Sequence, residues 1–323
     1  MNISFKSFFS RGLAAGAIGG LCTALFIRLV TETQIGKAIN FEDISHLGSP
    51  PGEAAMFARS TQTWGGMLAA IIFGTAVGAI FAVGLALVHH RIRAESEFGR
   101  SIRVAAAAFV ATVVIPGLKY PPNPPTVGNP ETINQRTFWY LLLMVAGIAL
   151  VALTFRLWGQ VTERGMVGAP RFIAVGGAFV VALSLIWVLF PKSPDPIEPP
   201  DNDATPALQI ADDAPAVVLD QVLKVARQTG NESIRNPQDP AEPLDLDTVD
   251  QGTDLRGMPM AISTTKLRPD VYTTMVWHFR TQTFAGLALL WVVIGTMMGL
   301  FLDRSIAKDT PTIVQREAKP VGV

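Results

Sequence analysis

A proline-rich polar segment between two apolar runs carries the residues best suited to recognise a ligand. Residues 119–136 read KYPPNPPTVGNPETINQR and contain five prolines. Proline cannot continue a helix and favours the extended polyproline II conformation, so this backbone is stiff and loses little entropy on binding. The polar side chains that we expect to take part in recognition are Lys119, Tyr120, Asn123, Glu131 and Arg136. The alternative is that the segment is a structural cap.

Two arginines occupy corresponding places just before apolar runs. Arg59 precedes the triplet Thr61-Gln62-Thr63, and Arg280 precedes Thr281-Gln282-Thr283. A charge so near hydrocarbon is costly unless it is paired or hydrated, which makes Arg59, Gln62 and Arg280 candidates for a functional site. Snorkelling of the arginines to the lipid headgroups is the equal alternative.

The histidines are possible metal ligands, since neutral imidazole and carboxylate oxygen suit cobalt or nickel. His46 lies near several carboxylates in sequence, and His278 lies just before Arg280, so these two are the candidate metal ligands. The chain has no H-x-x-x-H pair and no His/Cys cluster with ligand spacing, so interfacial positions for the histidines are the alternative. We predict no tightly bound cofactor.

Composition indicates a membrane protein. The chain has 323 residues, of which 49% are hydrophobic and only 16% are charged, whereas soluble domains carry about 25% charged residues. Several apolar runs approach the roughly 20 residues that span a bilayer as a helix. The six runs are 12–30, 64–88, 102–118, 138–157, 171–190 and 283–302. We therefore predict an all-α membrane protein with about six transmembrane helices.

The arginines predict the orientation of these helices. The linkers 89–103 and 156–171 are rich in arginine and belong on the cytoplasmic side by the positive-inside rule. Both termini are then cytoplasmic, in a multi-pass protein of the cell (inner) membrane. The segment 119–137, with its prolines, lies on the outer face.

A long polar segment separates the last two apolar runs. Between residues 191 and 272 there are 15 acidic and 7 basic residues. We predict three regions: helices 1–5 in 1–190, an acidic extracytoplasmic insertion in 191–282, and the sixth helix with a cytoplasmic tail in 283–323. The insertion is a candidate binding site for an envelope protein.

A parallel repeat of helical hairpins is visible in the apolar runs. Similar polar triplets open the second, fourth and sixth runs, and Gly74-Thr75 matches Gly295-Thr296 in register. Glycines also recur at helical spacing, at Gly12, Gly16 and Gly20 in the first run. They allow close approach of helices in lipid, either around a conduit or for packing alone.

Enzymatic signatures are absent from the sequence. There is no G-x-x-x-x-G-K-[ST] loop, no H-E-x-x-H and no G-x-S-x-G. No basic stripe with interleaved aromatic residues is present, so nucleic acid is not an expected partner. We therefore predict that the chain is not an enzyme and does not hydrolyse ATP by itself.

The proline-rich segment is similar to the signature of the CbtA family of predicted cobalt transporter subunits. Members carry KYP-x-NPP-x-V-G-x-P-x-T, which is matched by residues 119–132. Residues 11–12, 57–62 and 277–280 also resemble the family. The resemblance implies a cobalt transport role and a small histidine-containing membrane subunit (CbtB) as partner. This chain departs from the family in keeping only His46 in the first outer loop and in its long link before the last helix.

The sequence is therefore compatible with two functions. The first is a membrane transport subunit for cobalt or a similar divalent cation, as the resemblance implies. The second is a non-transporting assembly or scaffold protein that binds an envelope partner through its acidic outer segment.

Overall fold

A computed structural model describes residues 5–45, 57–92, 94–125, 127, 132–192, 207–209, 223–224, 259–261 and 269–309. Within these residues, six helical segments are long and apolar enough to cross a membrane. The predicted all-α membrane fold with six spans is confirmed.

The helices follow one another as six spanning segments. The first is α1 (Phe5–Phe26), a π-helical turn (Ile27–Thr31) and α2 (Glu32–Ser45). The second is α3 (Arg59–Val88), and the third is α4 (Glu97–Phe109), a second π-helical turn (Val110–Val114) and α5 (Ile115–Lys119). The remaining three are α6 (Ile133–Glu163), α7 (Ala169–Leu189) and α8 (Pro269–Asp309). Two three-residue strands, Ala207–Gln209 and Pro259–Ala261, pair antiparallel within the predicted acidic segment.

The connections alternate between two faces of the molecule, because each spanning segment carries the chain across. The end of α5 with residues 120–125, the end of α7 and the start of α3 lie at one face, here named the proline-loop face. Residues 89–92, 94–96 and 164–168 lie at the opposite face, here named the arginine-linker face.

The closest helix packing joins α1 to α3 through glycines. A Cβ atom built on Gly74 would lie 2.5 Å from Gly20 Cα and 2.8 Å from Gly16 O. A Cβ on Gly20 would lie 2.7 Å from Ala70 O. Real side chains do not fit at such distances, so the two backbones touch only because these positions are glycine. The contacts of these glycines are thus those of helix packing.

A first apolar core lies where α8 packs against both α1 and α4. Its largest fully buried members are Leu85 of α3 and Leu290, Ile294, Met298 and Leu302 of α8. These side chains occupy the half of the bundle nearer the arginine-linker face. That half is therefore filled by apolar side chains.

A second apolar core joins α5, α6 and α7. Ile115, Tyr120, Leu143 and Leu150 are buried in it. The chain passes from the first core to the second within one span, since Ala105 of α4 belongs to the first and Ile115 to the second. The π-helical turn Val110–Val114 lies between them. Because a π-turn accommodates an extra residue, it rotates the following residues by about one helical step of roughly 100°, which turns the apolar face from one core to the other.

The observed helices are longer than the predicted apolar runs. The sixth run, predicted over 283–302, lies inside α8, which begins at Pro269. The first run, predicted over 12–30, lies inside a helical segment that continues to Ser45. Hydropathy detects only the part of a helix that matches hydrocarbon, whereas the polar ends remain helical beyond it. The repeat of three hairpins stays a prediction, and α8 packs mainly against α1 and α4.

The glycine contact predicts a position-specific loss of stability. Gly74→Ala places a methyl group against the α1 backbone, and such overpacking costs about 1–3 kcal/mol. Thermal unfolding in detergent should show a melting temperature several degrees below that of the wild type. Gly84→Ala in the same helix is the matched control, because nothing lies within 4 Å of a Cβ at that position. Equal melting temperatures for the two variants would contradict the packing.

Candidate functional site

Lys119 and Tyr120 tie the start of the proline-rich segment to the end of α7. The Lys119 ammonium donates a hydrogen bond to Trp187 O at 2.9 Å, and the Tyr120 hydroxyl donates to Pro191 O at 2.8 Å. Carbonyl groups in the last turn of a helix lack helical partners and carry partial negative charge, so a lysine is favoured there. Burial raises the pKa of the Tyr120 phenol, which therefore stays protonated as a donor.

Asn123 and Arg280 are brought together, although they are far apart in sequence. The Arg280 guanidinium donates to Pro122 O at 3.3 Å and to Asn123 Oδ1 at 3.2 Å. Prolines supply no N–H groups, so the carbonyl oxygens of this segment depend on donors from elsewhere. Arg280 of α8 is such a donor. Residues 119–123 are thus held by α7 on one side and α8 on the other.

Arg59 and Gln62 belong to a second polar group on the same face, centred on Glu32. Arg59 Nη2 lies 2.6 Å from Glu32 Oε1, and Thr63 donates to the same oxygen at 3.3 Å. Arg59 also donates to Gln62 Oε1 at 3.2 Å. Glu32 was missed by the sequence analysis, although a carboxylate directly after an apolar run was the available signal. Its pairing with Arg59 ties α2 to the start of α3.

The remaining predicted site residues lie in α6, in α8 or outside the described residues. Arg136 lies in the first turn of α6, and His278 is exposed on α8. Glu131 and His46 lie outside the described residues. Within the part of the chain that the structure describes, no three His, Cys, Asp or Glu residues meet in a cluster able to hold a metal ion. Metal binding by His46 and His278 stays a prediction.

These contacts bear on how the proline-rich segment works. Lys119, Tyr120 and Asn123 each direct a polar atom into the protein, towards α7 or α8. Such bonds are expected of the structural cap that was the alternative interpretation. A role of the same residues in ligand recognition stays a prediction.

A third polar group, missed by the sequence analysis, lies on the arginine-linker face. Glu97 is buried at 8% exposure; its Oε2 lies 2.8 Å from His89 Nε2, and its Oε1 accepts a hydrogen bond from Arg100. Asp303 of α8 accepts from the backbone N–H groups of Glu97, at 2.9 Å, and Phe98, at 3.2 Å. In the sequence, residues 89–103 indicate only a positively charged linker, because a sequence does not show which charges pair.

This group closes the arginine-linker face by joining the ends of three helices. The first N–H groups of a helix have no helical partner and attract negative charge. Asp303 meets this need for α4, while Glu97 links α4 to the turn that follows α3. The ring of Phe8 from α1 also packs edge-on against His89, at 5.4 Å between centroids. The ends of α1, α3, α4 and α8 are thus held together beneath the first apolar core.

Removal of the Asp303 carboxylate should loosen this closure. Asp303→Ala leaves the N–H groups of Glu97 and Phe98 without their acceptor, and loss of a helix cap costs about 0.5–2 kcal/mol. A lower melting temperature in detergent is expected. Glu95→Ala is the control, since Glu95 is an exposed carboxylate in the same linker and should have little effect. A wild-type melting temperature for Asp303→Ala would refute the cap.

Comparison with known proteins places the chain in a family. Residues 5–228 match the family described as probable cobalt transporter subunit (CbtA). The match includes five of the six spanning segments and extends into the acidic segment that was predicted to be an insertion. No curated protein and no solved structure matches the chain. The chain belongs to the CbtA family.

Proposed function

We propose that this protein is a membrane subunit that transports cobalt or a similar divalent cation. The observation that carries the proposal is the family match over residues 5–228, in a chain with six helices able to span a membrane. A transport role needs no catalytic residues, in keeping with the absence of enzymatic signatures from the sequence. Cobalt is named because the family is described by it.

The arrangement of the helices suits a transport path through the first core. The four helices α1, α3, α4 and α8 pack together, and the charged groups on or next to them lie at the two ends of the bundle. At the proline-loop face these groups include Glu32 with Arg59, and Arg280 with Asn123. At the arginine-linker face the group is Glu97 with Arg100 and Asp303. Apolar side chains separate the two ends, as in a transporter closed on one side.

The orientation proposed from the sequence assigns the two ends of this path to the two sides of the membrane. The arginine-rich linkers are placed in the cytoplasm by the positive-inside rule, together with both termini. The proline-loop face is then extracytoplasmic, and the buried Glu97 group closes the cytoplasmic end. The proposed location is the cell (inner) membrane.

Further subunits are expected in a transporter of which this chain is one subunit. A small histidine-containing membrane protein, like the CbtB subunit that the resemblance implies, would supply imidazole ligands that the described residues do not gather. The acidic segment 191–282 lies mostly outside the described residues, so the scaffold alternative gains no support.

The transport proposal is tested by cobalt accumulation in cells that express the protein. Cells with the wild-type protein should accumulate more cobalt-57 than empty-vector cells. Asn123→Ala removes the acceptor of the charge-assisted bond from Arg280; such bonds contribute about 1.5–3 kcal/mol. We expect this variant to lower the uptake rate severalfold by loosening the segment above the bundle.

Asn134→Ala is the matched control, because Asn134 is an exposed asparagine in the first turn of α6. Membrane levels of each variant are measured by immunoblot, so that a change in rate is not a change in amount. Cobalt accumulation equal to that of empty-vector cells would overturn the proposed function.

A further inference from the structure

One buried and one half-buried glutamine side chain near the proline-loop face have amide oxygens without a hydrogen-bond partner among the described residues. Gln34 of α2 is 6% exposed, and its Oε1 accepts no hydrogen bond from the part of the chain that the structure describes. Gln282 of α8 has a buried Oε1 in the same condition. A buried polar atom without a partner costs about 1–3 kcal/mol, and native proteins contain few of them. Two such oxygens on neighbouring helices are available to a bound cation or to its hydration water.

The packing register brings Gln282 beside the π-helical turn in the first span. Gly19 of α1 meets Leu290 and Ile294 of α8, and further along Phe26 meets Gly286. The two helices are thus antiparallel, with α8 residues of lower number opposite α1 residues of higher number. Gln282 precedes Gly286 by one helical turn and shares its face of α8. It therefore faces the π-helical turn Ile27–Thr31, which packs against α8.

The same π-turn directs the residues after it towards α8. Thr31 is 4% exposed and Gln34 is 6% exposed, and a spacing of three places both on one side of the helix. Glu32, on another side, is paired with Arg59 of α3. Because α2 packs against α8, the buried side that carries Thr31 and Gln34 is the side nearer Gln282.

We propose that Thr31, Gln34 and Gln282 form a binding site for a divalent cation at the proline-loop end of the path. This inference rests on the proposed transport function. Amide and hydroxyl oxygens are hard neutral ligands for a cation or its hydration water. The unpartnered atoms here are amide oxygens, which accept and do not donate hydrogen bonds, so they favour a cation over an anion. Neutral donors also bind more weakly than carboxylates, so that an ion is held briefly and can move on.

The position of the site fits an entrance. Phe26 and Gly286 lie directly beneath it, followed by the fully buried Leu290 and Ile294. An ion that arrives from the proline-loop face therefore meets an apolar barrier after these three side chains. A site above a closed barrier is where a transporter would hold its substrate before the barrier opens.

The test is direct binding of Co²⁺ to the purified full chain in detergent, by isothermal titration calorimetry. Gln34→Leu and Gln282→Leu should each weaken Co²⁺ binding at least tenfold. Gln34→Glu keeps the shape and adds a negative charge, so it should tighten binding at pH 7. Gln135→Leu is the matched control, since Gln135 opens α6 at the corresponding place and is exposed; binding should not change.

A second readout separates a ligand site from a structural role. Without metal, Gln34→Leu should melt at or above the wild-type temperature, because leucine removes a buried unpartnered oxygen. Co²⁺ should raise the melting temperature of the wild type but not that of this variant. Wild-type protein that binds no Co²⁺, or variants that bind it as the wild type does, would overturn the site.

Failure of the site and failure of the transport function give different results. If cells accumulate cobalt but the glutamine variants bind it normally, the ion uses another entrance and the site is wrong. If the purified chain binds Co²⁺ through the glutamines but cells show no uptake above empty vector, the transport function is wrong and the site stands.

Discussion

The contact between the backbones of α1 and α3 is the constraint on which the other helices depend. It requires glycine at positions such as Gly20 and Gly74, because any side chain there would overlap the opposite backbone. In a membrane, apolar side chains gain little by leaving lipid, so association relies on close van der Waals packing. With α1 fixed against α3, its other side is free to receive α8. Gly295 and Gly299 of α8 in turn meet Ala105 and Phe98 of α4.

The two π-helical turns allow one spanning helix to contact different neighbours before and after the turn. An uninterrupted helix would keep one stripe of residues towards the bundle along its whole length. The turn at Val110–Val114 instead moves the inward stripe from the first core to the second, and Gly147 of α6 lies against the carbonyl group of Ala111 there. The turn at Ile27–Thr31 ends on the buried Thr31 and is followed by the buried Gln34. π-turns inside long helices are frequent at functional sites, and here one adjoins the proposed cation site.

Much of the architecture could be predicted from composition, since long apolar runs in a chain poor in charge leave few alternatives. The glycine spacing of the first run predicted the packing of α1, and the proline motif predicted the family. The polar contacts could not be predicted, because they join residues distant in sequence. Glu97 meets Asp303, and Asn123 meets Arg280, across more than 150 residues in each case. Hydropathy also gives no information on helix rotation, so Gln34 could not be assigned to the buried side.

A closed apolar barrier between two polar ends is the physical basis for the transport account. The direct measurement is Co²⁺ entry into liposomes that contain the purified protein and enclose calcein, whose fluorescence Co²⁺ quenches. The account predicts quenching faster than in protein-free liposomes, and slower again when Gln34 is replaced by leucine. Quenching at the protein-free rate, with folded protein present in the liposomes, would contradict the claim that this chain moves a divalent cation.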